Sequence, residues 1–215
     1  PFALLLVTTA VIGLAFSTSF LLPTFLAVEL GADAATIGGV SAVPLLVSVL
    51  FMPLAGVQID HRGRRLFAWV GALLFALASA GMLFVDRVGA LLWTLRLLQG
   101  VGFPLFYVAL STLATDIAPR ERVGQAIGLF GGVMIATNAL GPALAEWGAQ
   151  AFGWRAVFGA TVVAALFAAV LARFLPDAHR GRSRAHASSL PSVLQRPGMV
   201  RVLGIAVMVG LGFAA

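Results

Sequence analysis

Six long apolar runs are the feature that most constrains what this chain can fold into. An α-helix rises about 1.5 Å per residue, so about 20 apolar residues cross the roughly 30 Å hydrocarbon core of a bilayer. Unbroken apolar runs predict helices, because the strands of membrane barrels alternate apolar and polar residues. The runs cover approximately residues 2–28, 35–59, 66–85, 90–115, 123–149 and 156–175. We therefore expect an all-α, polytopic membrane bundle of six helices over residues 1–175.

The composition supports a membrane protein and excludes several chemistries. Of the 215 residues, 60% are hydrophobic and 10% are charged, whereas soluble domains are about 25% charged. The chain has no Cys, which excludes disulfides, Cys-ligated metals and Cys nucleophiles. Lys is also absent, which excludes a Schiff-base lysine. We expect no enzymatic activity, no cofactor and no metal.

The 14 basic residues are all Arg, and their positions predict the topology. Arg concentrates in short cytoplasmic loops of membrane proteins. One side of the predicted bundle has only Arg87 and Arg155, and Arg96 lies within the fourth run. The other side has Arg62, Arg64, Arg65, Arg120, Arg122, Arg173, Arg180, Arg182, Arg184, Arg196 and Arg201. We therefore expect a cytoplasmic amino terminus, and the net charge of +6 requires no nucleic-acid partner.

Residues 176–201 form the one long polar segment, which is rich in Arg, Ser and Pro. We interpret it as a cytoplasmic linker between two helical bundles, with residues 202–215 as the truncated start of a seventh helix. A basic segment attracted to anionic lipid is a compatible alternative. The partners expected on this basis are the lipid bilayer and a missing carboxy-terminal bundle.

A short internal similarity suggests two inverted three-helix repeats, which are common in transporters. The sequence LAVEL at residues 26–30 closes the first run, and LATDI at residues 113–117 closes the fourth. In a chain of this composition, a match of five residues also arises by chance.

The loop from Gly56 to Arg65 combines an acid with several arginines. Gly63 permits a tight turn and places Asp60 near the end of the second run, close to Arg64. A carboxylate is unfavourable at a helix C-terminus, so Asp60 is expected to pair with Arg64 or with another helix's N-terminus. The alternative is a cytoplasmic loop with an incidental acid.

Arg96 is the charged residue with the clearest consequence inside a span. It cannot deprotonate, so it would either tune a nearby carboxylate or hold an anionic group of a substrate. Arg96, Gln99, Phe103 and Tyr107 recur at helical spacing and predict one stripe that lines a substrate cavity. The alternative is that Arg96 is a structural pin that binds backbone carbonyls of neighbouring helices.

Two polar residues of the fifth run remain ambiguous. Glu146 lies about 36 Å along a helix from Arg122, so it is either an acid at the outer membrane boundary or a protonatable coupling site. Asn138 lies nearer mid-depth and is expected to contact either substrate or a neighbouring helix.

Four segments resemble motifs of the major facilitator superfamily at the expected helix and loop positions. They are residues 56–65, residues 96–102 with the pattern Arg-x-x-Gln-Gly-x-Gly, residues 116–124 and residues 153–158. The resemblance covers essentially the whole chain. It implies an amino-terminal six-helix domain of 3+3 inverted repeats plus the start of helix seven.

The resemblance also implies roles for individual residues. The second motif places Gly100 and Gly102 at helix contacts, and span one faces the cavity, which adds Phe16, Ser19 and Phe20 to the lining. A cytoplasmic latch would comprise Gly56, Asp60, Gly63, Arg64 and Asp116.

Span five resembles the antiporter motif of proton-driven exporters through three residues that we expect to pack helices, which are Gly128, Gly141 and Pro142. The family pattern has glycine where this chain has Thr137, Ala145 and Glu146. The two small replacements keep close helix approach possible, but Glu146 does not.

The function implied is a secondary active transporter that works by alternating access, with a small-molecule substrate exchanged for protons during efflux. A proton-coupled symporter or a facilitator for a small metabolite is the alternative. A membrane scaffold or sensor would need no polar cavity stripe, and a membrane enzyme would need clustered His, Asp or Glu within the bilayer. We expect a multi-pass protein of the bacterial inner membrane.

Overall fold

The computed structural model of the chain describes residues 1–176, and within that range all regular secondary structure is helical. Six of its helical segments are long and apolar enough to cross a membrane. The predicted all-α fold with six spans is confirmed. The linker and the seventh helix predicted at residues 176–201 and 202–215 lie, apart from Pro176, outside the described residues. The helices are α1 (Phe2–Ser17), α2 (Leu22–Val28), α3 (Ala34–Arg62), α4 (Arg64–Met82), α5 (Ala90–Ile117), α6 (Val123–Phe152) and α7 (Trp154–Arg173).

The first span is interrupted by a short 3₁₀ segment, Thr18–Leu21, between α1 and α2. Pro23 has no N–H to donate to the carbonyl of Ser19, four residues before it. The Leu22 N–H bonds that carbonyl instead and tightens the turn. The break therefore lies within the span, at the polar patch that follows Phe16.

The other spans differ from the predicted bounds mainly at their ends. Helices α3 and α6 extend three residues beyond the predicted runs, because backbone hydrogen bonding continues until the glycine that follows each helix. Helix α4 ends early at Met82, and the N–H groups of Leu83, Phe84 and Val85 bond carbonyls three residues before them, as in a 3₁₀ turn. Single residues with positive φ, Gly63 at 98° and Gly153 at 81°, join α3 to α4 and α6 to α7. Glycine adopts this backbone region without the steric cost of a side chain.

The helix contacts follow the pattern of an inverted repeat. Helix α5 packs against α3 and α4, and α1 packs against α6 and α7 in the same relation, while α4 contacts α7. Exchanging spans one to three with spans four to six maps the α3–α5 contact onto α1–α6 and the α4–α5 contact onto α1–α7, and it leaves the α4–α7 contact unchanged. Pro44 of α3 lies beside Gly100 of α5, and Gly13 and Ser17 of α1 lie beside Thr137 and Gly141 of α6.

Candidate functional site

Arg96 is buried in the span formed by α5, about 9 Å along the helix from its start. Its side chain is 5% exposed. Its Nε donates a hydrogen bond of 3.0 Å to the carbonyl of Val40 on α3, and Nη1 donates to Oε1 of Gln99 at 2.5 Å. No acid among residues 1–176 forms an ion pair with it. Arg96 is therefore a buried cation that is held by a backbone carbonyl and an amide.

The carbonyl that Arg96 binds is one that a proline has left without its helical partner. Pro44 lies four residues after Val40 inside α3 and has no N–H to donate to it. The geometry agrees with the structural-pin alternative for Arg96. It does not remove the cavity alternative, because the same side chain also lines a cavity.

A second proline-freed carbonyl is satisfied in the same way. Pro104 lies inside α5, four residues after Gly100, whose carbonyl thus lacks its helical donor. Ser48 of α3 donates a hydrogen bond of 2.9 Å to that carbonyl. Two cross-helix hydrogen bonds from side chains thus fix α3 against α5 beside the candidate cavity.

The polar cavity is a small space around Arg96 between the first span, α4, α5 and α7. Its polar lining comprises Thr18, Ser19, Ser79, Arg96, Gln99 and Thr161. The Thr161 hydroxyl lies 3.2 Å from that of Thr18. The Ser79 hydroxyl is buried and makes no hydrogen bond to the described protein. The space is about 10 Å³, which is room for about one water bound to these groups.

Aromatic rings from three spans form a continuous surface, here called the aromatic wall. Phe16 stacks on Phe103 at 4.4 Å between centroids, and Phe103 stacks on Tyr107 at 5.3 Å. Tyr107 contacts Phe130 of α6 at 5.7 Å, and Phe20 packs on Phe16 at 5.6 Å. Gln99 of the polar cavity and Phe103 of the wall lie one turn apart on the same face of α5, so the wall adjoins the polar cavity.

The remaining polar candidates of α6 lie apart from these groups. Asn138 is half-buried near the middle of the helix, and its Oδ1 is buried without a hydrogen-bond partner in the described chain. Glu146 is exposed, and its carboxylate lies 3.5 Å from the amide of Gln150. The structure therefore places Glu146 on the surface of the six-helix bundle.

Asp60, Arg64 and Asp116, the charge cluster, meet where α3 ends, α4 begins and α5 ends. Nε of Arg64 contacts Oδ2 of Asp116, and its Nη2 lies 3.5 Å from Oδ1 of Asp60. The side chains of Arg64 and Asp116 are 18% and 19% exposed, whereas that of Asp60 is 69% exposed. The one-residue turn at Gly63 brings Asp60 and Arg64 together, and Arg64 binds Asp116 more closely.

The glycines expected to pack helices behave differently from one another. A Cβ at Gly100 would lie 2.9 Å from the Pro44 carbonyl, one at Gly102 would lie 3.2 Å from the Gly71 carbonyl, and one at Gly141 would collide with Ser17. A Cβ at Gly128 or Gly56 would meet nothing within 4 Å in the described bundle. Pro142 lies inside α6, next to the contact made by Gly141.

Four residues of these surfaces are absent from the sequence-based candidates. Phe130 completes the aromatic wall, and Ser79, Thr18 and Thr161 complete the polar cavity. Hydroxyl residues inside apolar runs were the available signal, but such hydroxyls mostly bond their own helix, as those of Thr8 and Thr9 do and as those of Thr18 and Thr161 do as well. Within residues 1–176, no group of His, Asp and Glu is arranged to hold a metal ion.

The fold and these surfaces define an integral membrane protein whose six-helix bundle repeats a three-helix unit and encloses a polar cavity beside an aromatic wall. The model of the Major Facilitator Superfamily matches residues 4–215, and the chain belongs to this family. This family is one of membrane transporters.

Curated relatives include the uncharacterized MFS-type transporter YhcA of Bacillus subtilis, 29% identical over 81% of this chain and 33% of its own length. The multi-drug resistance efflux pump PmrA of Streptococcus pneumoniae is 31% identical over 54% of this chain and 29% of its own length. The multidrug resistance protein MdtL of Salmonella heidelberg is 29% identical, with 74% and 40% covered. The chain thus spans less than half the length of these relatives.

Solved structures show the same fold at low sequence identity. The inward-open xylose transporter XylE of E. coli matches with a TM-score of 0.69 and 16% identity, over 82% of this chain and 47% of its own. A peptide transporter, POT, in complex with sulfate matches with a TM-score of 0.74 and 15% identity, over 99% and 44%.

Proposed function

We propose that the protein is a secondary active transporter that exports a small molecule in exchange for protons. The observation that carries this proposal is Arg96, a buried cation without an acidic partner in the described spans, which lines a polar cavity next to the aromatic wall. A cation at membrane depth is costly and marks a pathway for substrates or ions. Relatives that bear the names of drug efflux pumps favour export over import.

The substrate would bind where the polar cavity meets the aromatic wall. Stacked rings provide an apolar, planar surface, and the Arg96–Gln99 pair and the cavity hydroxyls provide hydrogen-bonding groups. The substrate class that fits both surfaces is an aromatic or amphipathic compound with one polar group. We place its site between this bundle and a second, carboxy-terminal bundle, which would rock against the first.

The charge cluster would act as a latch at the end of the bundle that carries most of the arginines. We place that end, and the amino terminus, in the cytoplasm of a bacterial cell. Exposed Asp60 is available to a second bundle, while Arg64 and Asp116 hold α3, α4 and α5 in register. The latch would close the cytoplasmic side when the site faces outward.

The described residues offer few candidates for the group that accepts the proton. Glu146 is the one acid of residues 1–176 that lies well inside the ends of a spanning helix, and it is exposed on α6. A second bundle could cover it and expose it to the outer medium in alternation. We propose Glu146 as the residue that couples proton movement to transport. The variant that tests it is Glu146→Gln. A positional control adds Gln150→Glu to that variant, which places an acid one turn along the same helix.

The test is transport into inside-out membrane vesicles with an imposed pH gradient. An acidic lumen should drive accumulation of a fluorescent aromatic compound, and the double variant Arg96→Gln, Phe103→Ala should abolish it. Accumulation driven by an alkaline lumen would indicate symport instead. Uptake that follows only the compound's own gradient would indicate a facilitator.

A further inference from the structure

Four of the five rings in the aromatic wall form two matching halves. They contact one another in the order Phe20, Phe16, Phe103 and Tyr107. A shift of 87 residues carries Phe16 onto Phe103 and Phe20 onto Tyr107. The central pair lies near mid-span, since Phe103 is residue 14 of the 28 in α5 and Phe16 is residue 15 of the 27 in the first span. The stack of Phe16 on Phe103 therefore lies where the two halves of the inverted repeat meet.

Helix contacts support the same matching of residues. The shift of 87 residues also aligns the LAVEL segment with the LATDI segment, and Gly13 with Gly100. A Cβ at Gly13 would collide with Thr137, and a Cβ at Gly100 would collide with Val47. Val47 precedes Thr137 by 90 residues, which is also the spacing between the one-residue turns before α4 and α7. The repeat thus extends to single side-chain contacts, and the two halves of the wall are equivalent positions.

One hydroxyl group distinguishes the two halves of the wall. Tyr107 is the only tyrosine of the chain, and the matching position holds Phe20. Tyr107 is half-buried and Phe20 is 50% exposed, so each ring keeps accessible surface in the described bundle. Within residues 1–176 the Tyr107 hydroxyl has no hydrogen-bond partner. A ligand that covered this ring would therefore have to supply a partner for the hydroxyl.

We propose that Tyr107 determines which aromatic compounds the wall binds, by donating one hydrogen bond to an acceptor atom in the ring system of the compound. This inference rests on the proposed function, because it takes the aromatic wall as the surface that binds the substrate. Matching rings accept a planar compound in two opposite orientations, and one hydroxyl favours the orientation that brings the acceptor to Tyr107. The substrate class is then a planar heteroaromatic compound.

This hydrogen bond is separate from the contacts that the polar cavity offers. Gln99 lies eight residues before Tyr107 on α5, which is about 12 Å along the helix. A compound of two or three fused rings laid on the wall can reach the Tyr107 hydroxyl without entering the cavity. The preference for a ring acceptor can therefore be measured with compounds that carry no other polar group.

The test is equilibrium binding of acridine and of anthracene to the protein in lipid nanodiscs, corrected for nanodiscs without protein. The two compounds have the same fused rings, but only acridine has a ring nitrogen, which is unprotonated at alkaline pH. One neutral hydrogen bond is worth about fivefold in affinity. The parent protein should therefore bind acridine about fivefold more tightly than anthracene, and Tyr107→Phe should bind both equally.

The matching position supplies a second variant, which a purely structural role of Tyr107 would not explain. Adding Phe20→Tyr to Tyr107→Phe moves the hydroxyl to the other half of the wall, and it should restore the preference for acridine because the compound can bind the other way round. The control adds Phe84→Tyr to Tyr107→Phe. Phe84 lies two residues beyond α4 and is 76% exposed, so this hydroxyl should restore nothing.

Several results would overturn the proposal. They are equal affinities in the parent, a preference that survives Tyr107→Phe, and a preference that Phe20→Tyr does not restore or that Phe84→Tyr does. A parent protein that binds neither compound would remove the wall as a binding surface. The vesicle assay tests the proposed function separately: if parent vesicles accumulate the fluorescent compound while the parent binds acridine and anthracene equally, only the role of Tyr107 fails.

Discussion

The contribution of the Ser48–Gly100 hydrogen bond to stability can be tested by mutation, because the residue that makes this bond necessary is also known. Pro104 deprives that carbonyl of its helical donor, and Ser48 is the donor that replaces it. Ser48→Ala leaves a buried carbonyl without a partner. Cross-helix hydrogen bonds in membrane proteins are worth about 0.6 kcal/mol on average and up to about 1.7 kcal/mol, and an orphaned buried group costs about 1–3 kcal/mol. We therefore expect a loss of about 1.5 kcal/mol.

Pro104→Ala restores an N–H that can bond Gly100 within α5, although the lost ring volume costs about 1–3 kcal/mol. In this background Ser48→Ala should cost less than about 0.5 kcal/mol, so the coupling energy of the double-mutant cycle is about 1 kcal/mol. The assay is SDS-induced unfolding in mixed micelles followed by circular dichroism.

Ser111→Ala is the matched control, because the Ser111 hydroxyl bonds the Val108 carbonyl of its own helix at 3.1 Å. It should cost less than about 0.5 kcal/mol in both backgrounds. If the effects of Ser48→Ala and Pro104→Ala simply add, the proposed exchange of donors is wrong.

Three further predictions concern packing, the charge cluster and the aromatic wall. Gly141→Val should destabilise the protein by about 1–3 kcal/mol, because its side chain would collide with α1, whereas Gly128→Val should lie within about 0.5 kcal/mol of the parent; equal unfolding midpoints would refute this contrast. Asp116→Asn should lower the free energy of unfolding by about 2–3 kcal/mol in the same assay. Asp60→Asn removes a longer and exposed contact, so it should lower that free energy by less than about 1 kcal/mol. A larger loss for Asp60→Asn than for Asp116→Asn would contradict the geometry. Phe103→Ala should raise the KM for an aromatic substrate about fivefold with little change in kcat, and an unchanged KM would remove the ring from the binding surface.

The six spans could be predicted from the sequence because the thickness of the bilayer imposes a long apolar run on each helix. The ends of the helices could not, because hydrogen bonding of the backbone continues past the apolar residues, as it does from Ile59 to Arg62. The break at Thr18 follows from Pro23, which was visible in the sequence. The size of the break that Pro23 causes depends on where the helix resumes, and it resumes at Leu22.

For the candidate site, periodicity suffices to place Arg96, Gln99, Phe103 and Tyr107 on α5. Their partners on other helices, such as Val40, could be identified only once it was known which helices pack together. One sequence signal was available for Val40, since a proline four residues later marks a carbonyl that needs a donor.

The central claim is that substrate and protons cross the membrane in opposite directions, and it can be measured directly. The protein is reconstituted into proteoliposomes loaded with a fluorescent aromatic substrate and a pH indicator, in the absence of an external proton gradient. Diluting the vesicles releases substrate down its gradient, and the account predicts that the lumen acidifies as substrate leaves, with Arg96→Gln as the inactive control. Alkalinisation of the lumen during release, or release without any change in pH, would contradict it.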